Sequence, residues 1–233
     1  MIRLNDIVKD IKSTFTGRKF FFDREEVSAG IVLPKAWESF GLRLDDAPAY
    51  PDSWQSYSTE FPSIITLLNN SLLGTVLLAD DKLELLYVFH DANGFYYYIG
   101  GLPVEGGATD KEMFEALPIK LQSFYREVHD GYTFFPARSM GPQSLSDISR
   151  VSDFIDEEDV SFAGSWITVF SNGSGDFVAI DTEAEKASEG LIWWHENPTA
   201  PEYGVDIFEI MDAWMTVFLE GTRSREELIA NFY

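Results

Sequence analysis

Apolar residues open the chain at helical spacing. Leu4, Ile7, Val8 and Ile11 share one face, which predicts an amphipathic helix over 4–14. "RKFFFD" (18–23) predicts a short strand. Residues 45–62 hold three prolines and many polar residues, the pattern of a loop, and Tyr50, Trp54, Tyr57 and Phe61 predict that this loop packs onto something. Three strand-like runs follow, "TVLLAD" (75–80), "KLELLYVFH" (82–90) and "FYYYIG" (95–100). Their connectors, "DDK" and "DANG", carry turn chemistry, and Asn93-Gly94 is a strong hairpin signal. Aromatics occupy both faces of "FYYYI", so this sheet is expected to be covered on one side and contacted on the other. "GGLPVEGG" (100–107) is a glycine-rich break.

Beyond the break, Thr109 with Glu112 predicts a capped helix start. Pro118 suits the first turn of a second helical piece, faced by Leu117, Leu121, Phe124, Tyr125 and Val128 and ended by Gly131. "GYTFFPAR" reads as extended, "SLSDISRVSDF" (144–154) as a short helix and "DEEDV" as a solvated acidic loop. "SWITVFSN" (165–172), "GDFVAIDT" (175–182) and "GLIWWHE" (190–196) predict three antiparallel strands, and 197–204 a turn. Asp206 with Glu209 caps a helix whose stripe is Ile207, Ile210, Met211, Trp214, Val217 and Phe218, which places Trp214 and Phe218 in the core. Gly221 ends it, and 222–233 is a short helix or tail. The order is helix, strand, helix, strands, then helix, strand, helix, three strands and a helix. That is an α+β fold, a mostly antiparallel sheet flanked by helices rather than alternating βα units. We expect an N-terminal α+β region over 1–105 and a second domain over 106–233.

"FSNGSGDFVAID" (170–181) tests the chemistry. It lacks the lysine of a phosphate loop and runs into a strand, not the helix that a dinucleotide loop requires. Its glycines suit a hairpin turn. Asp176 and Asp181 fall on opposite faces of one strand, so they do not flank one bond as a glycosidase pair; Asp176 is expected to bond the turn amides. His90, His129 and His195 are isolated and read as structural hydrogen-bonders, not zinc ligands. No Gly-x-Ser-x-Gly elbow occurs, residues 156–159 lack the spacing of a calcium loop, and the absence of cysteine excludes disulfides and thiolate chemistry. We therefore expect no catalytic residue, no cofactor and no metal.

Charge adds the most to this picture. The chain of 233 residues has 39 Asp and Glu against 17 Lys and Arg, a formal net charge of −22. Such a chain repels nucleic acid and anionic membrane and attracts basic partners. Between Val151 and Asp212 stand fifteen acids and one base, Lys186. This concentration points to a binding face whose rim is Asp156, Glu157, Glu158, Asp159, Glu183, Glu185 and Glu189, with Trp193 and Tyr203 as aromatic anchors. Trp193 and Trp194 point to opposite sides of their strand, so at least one is expected to be buried. "MIRLNDIVKDIK" is not a signal peptide and no apolar run reaches the length of a membrane span, so a cytoplasmic protein is expected.

Several of these stretches together resemble a known family. "LPIKLQSFYREVHDG" (117–131) is similar to the opening helix of the SUKH superfamily, and "SLSDI" resembles its next, leucine-bearing step. "FSNGSGDFVAID" looks like its central hairpin, "GLIWWHEN" resembles the following strand, and 206–219 lies where the family has its closing helix. The resemblance covers about residues 110–220 and leaves the first hundred aside. It implies an α+β domain with a mostly antiparallel sheet and no known catalytic constellation. Many bacterial members resemble immunity proteins of polymorphic-toxin and contact-dependent systems; others are eukaryotic regulators of cell-wall synthesis and signalling. The expected function is then an immunity protein that binds a cognate toxin with a basic surface, without catalysis. The alternatives are a regulatory scaffold with several protein partners and a hydrolase that uses the carboxylates.

Overall fold

Helix α1 (Leu4–Thr14) forms where the apolar spacing places it and buries Ile7 and Ile11 completely. Asp6 closes its first turn by accepting the backbone amide of Arg3 at 3.2 Å and pairing with its guanidinium at 3.1 Å. The computed structural model describes residues 2–104, 111–155, 161–184 and 189–229. The elements that follow α1 are β1 (Phe20–Phe21), α2 (Pro62–Ser71), β2 (Gly74–Ala79), β3 (Leu83–His90) and β4 (Phe95–Gly101). Next come α3 (Lys111–Ala116), α4 (Ile119–Glu127), β5 (Asp130–Phe135), β6 (Gly141–Pro142), β7 (Trp166–Ser171), β8 (Phe177–Asp181) and β9 (Glu189–Trp193). The series ends with β10 (Glu202–Asp206), α5 (Ile207–Phe218) and α6 (Arg225–Ile229). The fold is α+β, with two five-stranded antiparallel sheets among the described residues. The chain divides into two compact units, Met1–Leu102 with Leu219–Tyr233, and Pro103–Phe218. The division falls in the glycine-rich break, and the segment after Phe218 goes with the N-terminal unit.

In the first unit β1, β2, β3 and β4 pair antiparallel in chain order. Every residue of β2 is buried, as are 84–89 of β3, which means that both faces of this sheet are covered. The hairpin into β4 turns on Asp91, whose Oδ1 accepts from the amides of Asn93 (2.6 Å) and Gly94 (3.1 Å). The proline-rich loop packs inward as its aromatics require. Tyr50, Trp54, Tyr57 and Phe61 are all buried, and Trp54 Nε1 donates to the Tyr87 hydroxyl at 2.9 Å. The segment after Phe218 forms α6, whose Arg225 donates to main-chain carbonyls of Leu72, Leu73, Arg43 and Asp46.

In the second unit α4 buries Leu121, Phe124 and Tyr125, with Leu117 and Val128 buried at its ends. Gly131 does not end this helix. It lies in β5 at φ +76°, and a Cβ there would stand 2.6 Å from the Ser144 amide nitrogen; close backbone approach, not helix termination, requires the glycine. The expected helix over 144–154 is replaced by turns and a single 3-10 stretch, Val151–Phe154. β7, β8 and β9 pair antiparallel as expected, with Trp166 opposite Asp181 and Phe177 opposite Trp193. The expected turn over 197–204 contains the start of β10, which pairs with β9. Helix α5 is also rotated from its expected stripe. It buries Ile207, Phe208, Met211, Asp212 and Met215, whereas Val217 is 70% and Phe218 41% exposed. Trp214 is half-buried, its ring 5.8 Å from Phe170 and 6.1 Å from Trp194. No described helix is long and apolar enough to cross a membrane. The start expected at Thr109 lies outside the described residues.

Candidate functional site

The second sheet, in the order β10-β9-β8-β7-β6, has two unlike faces. On one, Phe170, Val178 and Ile192 stand in a cross-strand row beneath α5. On the other, Trp166, Ala179, Leu191 and Trp193 gather with Val151, Ile155 and Ala163 into a core cluster. Strand alternation places Asp181, Glu189 and Tyr203 on this second face as well, because they stand opposite Trp166, Asp206 and Leu191.

The second face is closed in its middle and open at one end. Trp166, 3% exposed, is flanked edge-on by Phe162 at 5.7 Å and Tyr203 at 5.7 Å. Those two rings reach solvent, Tyr203 at 64% and Phe162 at 36%. Partial burial, then the charge of Asp181, raises the Tyr203 phenol above its ordinary value, so the carboxylate lies within electrostatic reach of the ring. Asp181 Oδ1 also accepts the amide of Glu183 at 3.0 Å, which fixes that turn. Glu189 is exposed at the start of β9 and directly opposite Asp206. Like charges opposed across a ladder raise its energy. Asp206 offsets part of this by accepting from the α5 amides of Phe208 (2.9 Å) and Glu209 (3.2 Å), at the helix end that favours negative charge. The result is an acidic surface with an exposed aromatic centre.

Of the residues expected at the binding face, Glu183, Glu189 and Tyr203 belong to this open end. Asp156, Glu157, Glu158, Asp159 and Glu185 lie outside the described residues. Trp193 is core instead of surface: it is 2% exposed, packs against Phe177 at 5.9 Å and donates its indole N–H to the Pro198 carbonyl at 3.2 Å. It presents no face to a partner. Asp181, Phe162 and Trp166 complete the site and were not singled out for binding. In the sequence Asp181 stands out only as a possible catalytic acid, and nothing in the spacing of Phe162 or Trp166 sets them apart from core aromatics.

The hairpin that joins β7 to β8 organises a second polar cluster. Asn172, not Asp176, bonds the turn amides, its Oδ1 accepting from Ser174 (2.8 Å) and Asp176 (3.1 Å). Asp176 instead reaches the next strand. It accepts from the backbone amide of His195 at 3.0 Å, contacts His195 Nδ1 at 2.8 Å, and accepts from Asn172 Nδ2 at 2.8 Å. Burial alone would raise the Asp176 carboxyl, but these bonds outweigh it and hold it below the usual carboxylate range. A carboxyl depressed in the folded state stabilises above its unfolded value, about pH 4, and loses that contribution as pH falls through the folded value. Asp176→Ala is expected to cost about 2–3 kcal/mol at pH 7, because it removes charge-assisted bonds from two sides. Urea titrations should show the gap between variant and parent closing below about pH 4; a gap unchanged at pH 3 would contradict this role. Among the described residues no three His, Asp or Glu side chains are grouped to hold a metal.

Compared with models of protein families, with curated proteins and with solved structures, the chain matches none.

Proposed function

We propose that the protein is an immunity protein, which binds a cognate toxin through the acidic, aromatic-centred end of its second sheet and blocks it without catalysis. The observation that carries this reading is Tyr203, exposed and braced on buried Trp166, among Asp181, Glu183 and Glu189. A rigid aromatic with one solvent-facing side loses little entropy on binding, and the charges around it speed encounter with a basic surface. The fifteen-to-one excess of acids between Val151 and Asp212 gives the stretch that carries β7 to β10 the same sign. The resemblance of residues 110–220 to the SUKH superfamily supports the reading from the sequence side.

The test is protection. Co-expression of the full chain with the toxin encoded directly upstream of its gene is expected to restore growth, and the two proteins to co-purify. Reversing Glu183 and Glu189 to lysine is expected to slow association about tenfold or more at low salt, with a much smaller effect at high salt and little change in Tm. Growth that stays arrested in the presence of the folded chain would reject the proposal. A rate and salt slope identical to the parent's would move the interface away from this face.

A further inference from the structure

We propose that the outer edge of β10 is the docking line itself, and that the partner adds an extended, lysine- or arginine-bearing segment to it as a further strand. This rests on the binding reading above and specifies its mode. β10 is the last strand of its sheet, and among the described strands it is paired only by β9. Glu202, Tyr203, Gly204 and Asp206 are exposed and Val205 is half-buried. A strand paired on one side leaves a row of backbone donors and acceptors on the other, which is a template for strand addition.

Charge decides what the edge accepts. Glu202 and Asp206 bracket the strand, so a second copy of this chain laid antiparallel would bring carboxylates beside carboxylates. Two chains of net charge −22 would also repel as they approached. An extended basic segment reverses both terms. Alternate side chains of an added strand point to the two faces of the sheet. On the open face they run beside Tyr203 and towards Glu189 on the neighbouring strand, which suits a cation that stacks on a ring and pairs with a carboxylate. On the other face lies Glu202, opposite Ile192. The register shift between Tyr203 and Val205, with Gly204 at φ +73°, interrupts the ladder and twists the edge. It keeps the pairing line short and disfavours indiscriminate sheet extension.

The probe is an eight-residue peptide, acetyl-Lys-Val-Lys-Thr-Lys-Val-Lys-Thr-amide, titrated into the isotope-labelled full chain and followed by amide shifts and hydrogen exchange. Shifts and slowed exchange are expected to centre on residues 202–206. The same peptide N-methylated at every internal residue keeps its charge but cannot donate along an edge, and is expected to bind at least about tenfold more weakly. Glu202→Lys and Tyr203→Ala, both at exposed positions, are each expected to weaken the unmethylated peptide several-fold. Equal binding of the two peptides, or shifts that leave 202–206 untouched, would overturn the proposal. The assay contains no toxin, so the two readings fail separately. Strand pairing at 202–206 without growth protection upholds the docking mode and rejects immunity. Growth protection with no pairing at 202–206 does the reverse.

Discussion

Replacing Arg225 with methionine is expected to destabilise the first unit by about 3–5 kcal/mol, the cost of leaving several buried main-chain carbonyls without a donor. The substitution keeps most of the side-chain volume and deletes only the guanidinium. That group donates to the carbonyls of Leu72 (3.3 Å), Leu73 (2.6 Å), Arg43 and Asp46, and the residue is 9% exposed. Burial lowers its basicity, and Asp45 and Asp46 counteract that without restoring the ordinary value. Without the guanidinium, carbonyls from two separate segments of chain lose a partner inside the unit, and each buried unsatisfied group costs about 1–3 kcal/mol. Lysine is not expected to rescue. Its single ammonium offers three donors from one point, whereas the planar fork of arginine spans 43–46 and 72–73 together. Urea denaturation of Arg225→Met and Arg225→Lys measures both claims. A loss below about 1 kcal/mol for methionine would mean that water satisfies these carbonyls and that the arginine is not what fastens α6.

Nothing in the sequence singled out Arg225, because one arginine in a polar tail has no period and no motif. What was legible was repetitive. The spacing of Ile7 and Ile11, the apolar runs of β2 and β3, and the Asn93-Gly94 turn are local signals, and the structure follows them. β7, β8 and β9 were legible for the same reason, each being a short apolar run between turn residues. β10 was hidden by its neighbours. Pro198, Pro201 and Gly204 carry turn chemistry, and only pairing with β9, a tertiary contact, makes 202–206 a strand. The buried face of α5 is not legible in its apolar spacing because Asp212 lies on it, at 6% exposure. A polar residue inside breaks the apolar stripe, and the apolar spacing then runs through Trp214 and Phe218 on the flank. The candidate site was legible in part. Tyr203 could be named as an exposed anchor, but the choice between Trp193 and Trp194 depends on which face of the sheet is closed, and both turn out to pack. The place of Asp181 near Tyr203 follows from the register of β7, β8, β9 and β10, which no local pattern encodes.

The largest effect of one added methyl group is expected at Gly141. A Cβ built there would stand 1.8 Å from the Tyr132 carbonyl oxygen and 2.9 Å from its carbonyl carbon. Both atoms are backbone, so no rotamer change relieves the overlap; β5 and β6 would have to move apart. Gly141 is also tied on its other side, opposite Ser171 of β7, and the movement would be carried into the sheet that bears the candidate site. Gly141→Ala is therefore expected to cost about 4 kcal/mol or more, in the range reserved for overpacking that cannot relax. Gly190 is the next case. Its Cβ would lie 2.2 Å from Ile207 Cγ2, which can turn, but also 2.7 Å from the Ala179 carbonyl oxygen, which cannot, so a loss of about 2–3 kcal/mol is expected. Gly204 marks the opposite limit. Nothing lies within 4 Å of its added Cβ, and only the positive φ of +73° opposes alanine, about 1 kcal/mol. Denaturation of the three variants should rank them Gly141, Gly190, Gly204 in decreasing loss. Should Gly141→Ala melt with Gly204→Ala, the close approach of β5 and β6 would be wrong. If the ranking holds, Gly204→Ala remains a folded protein in which the bulge of β10 can be altered and partner binding measured without loss of the sheet.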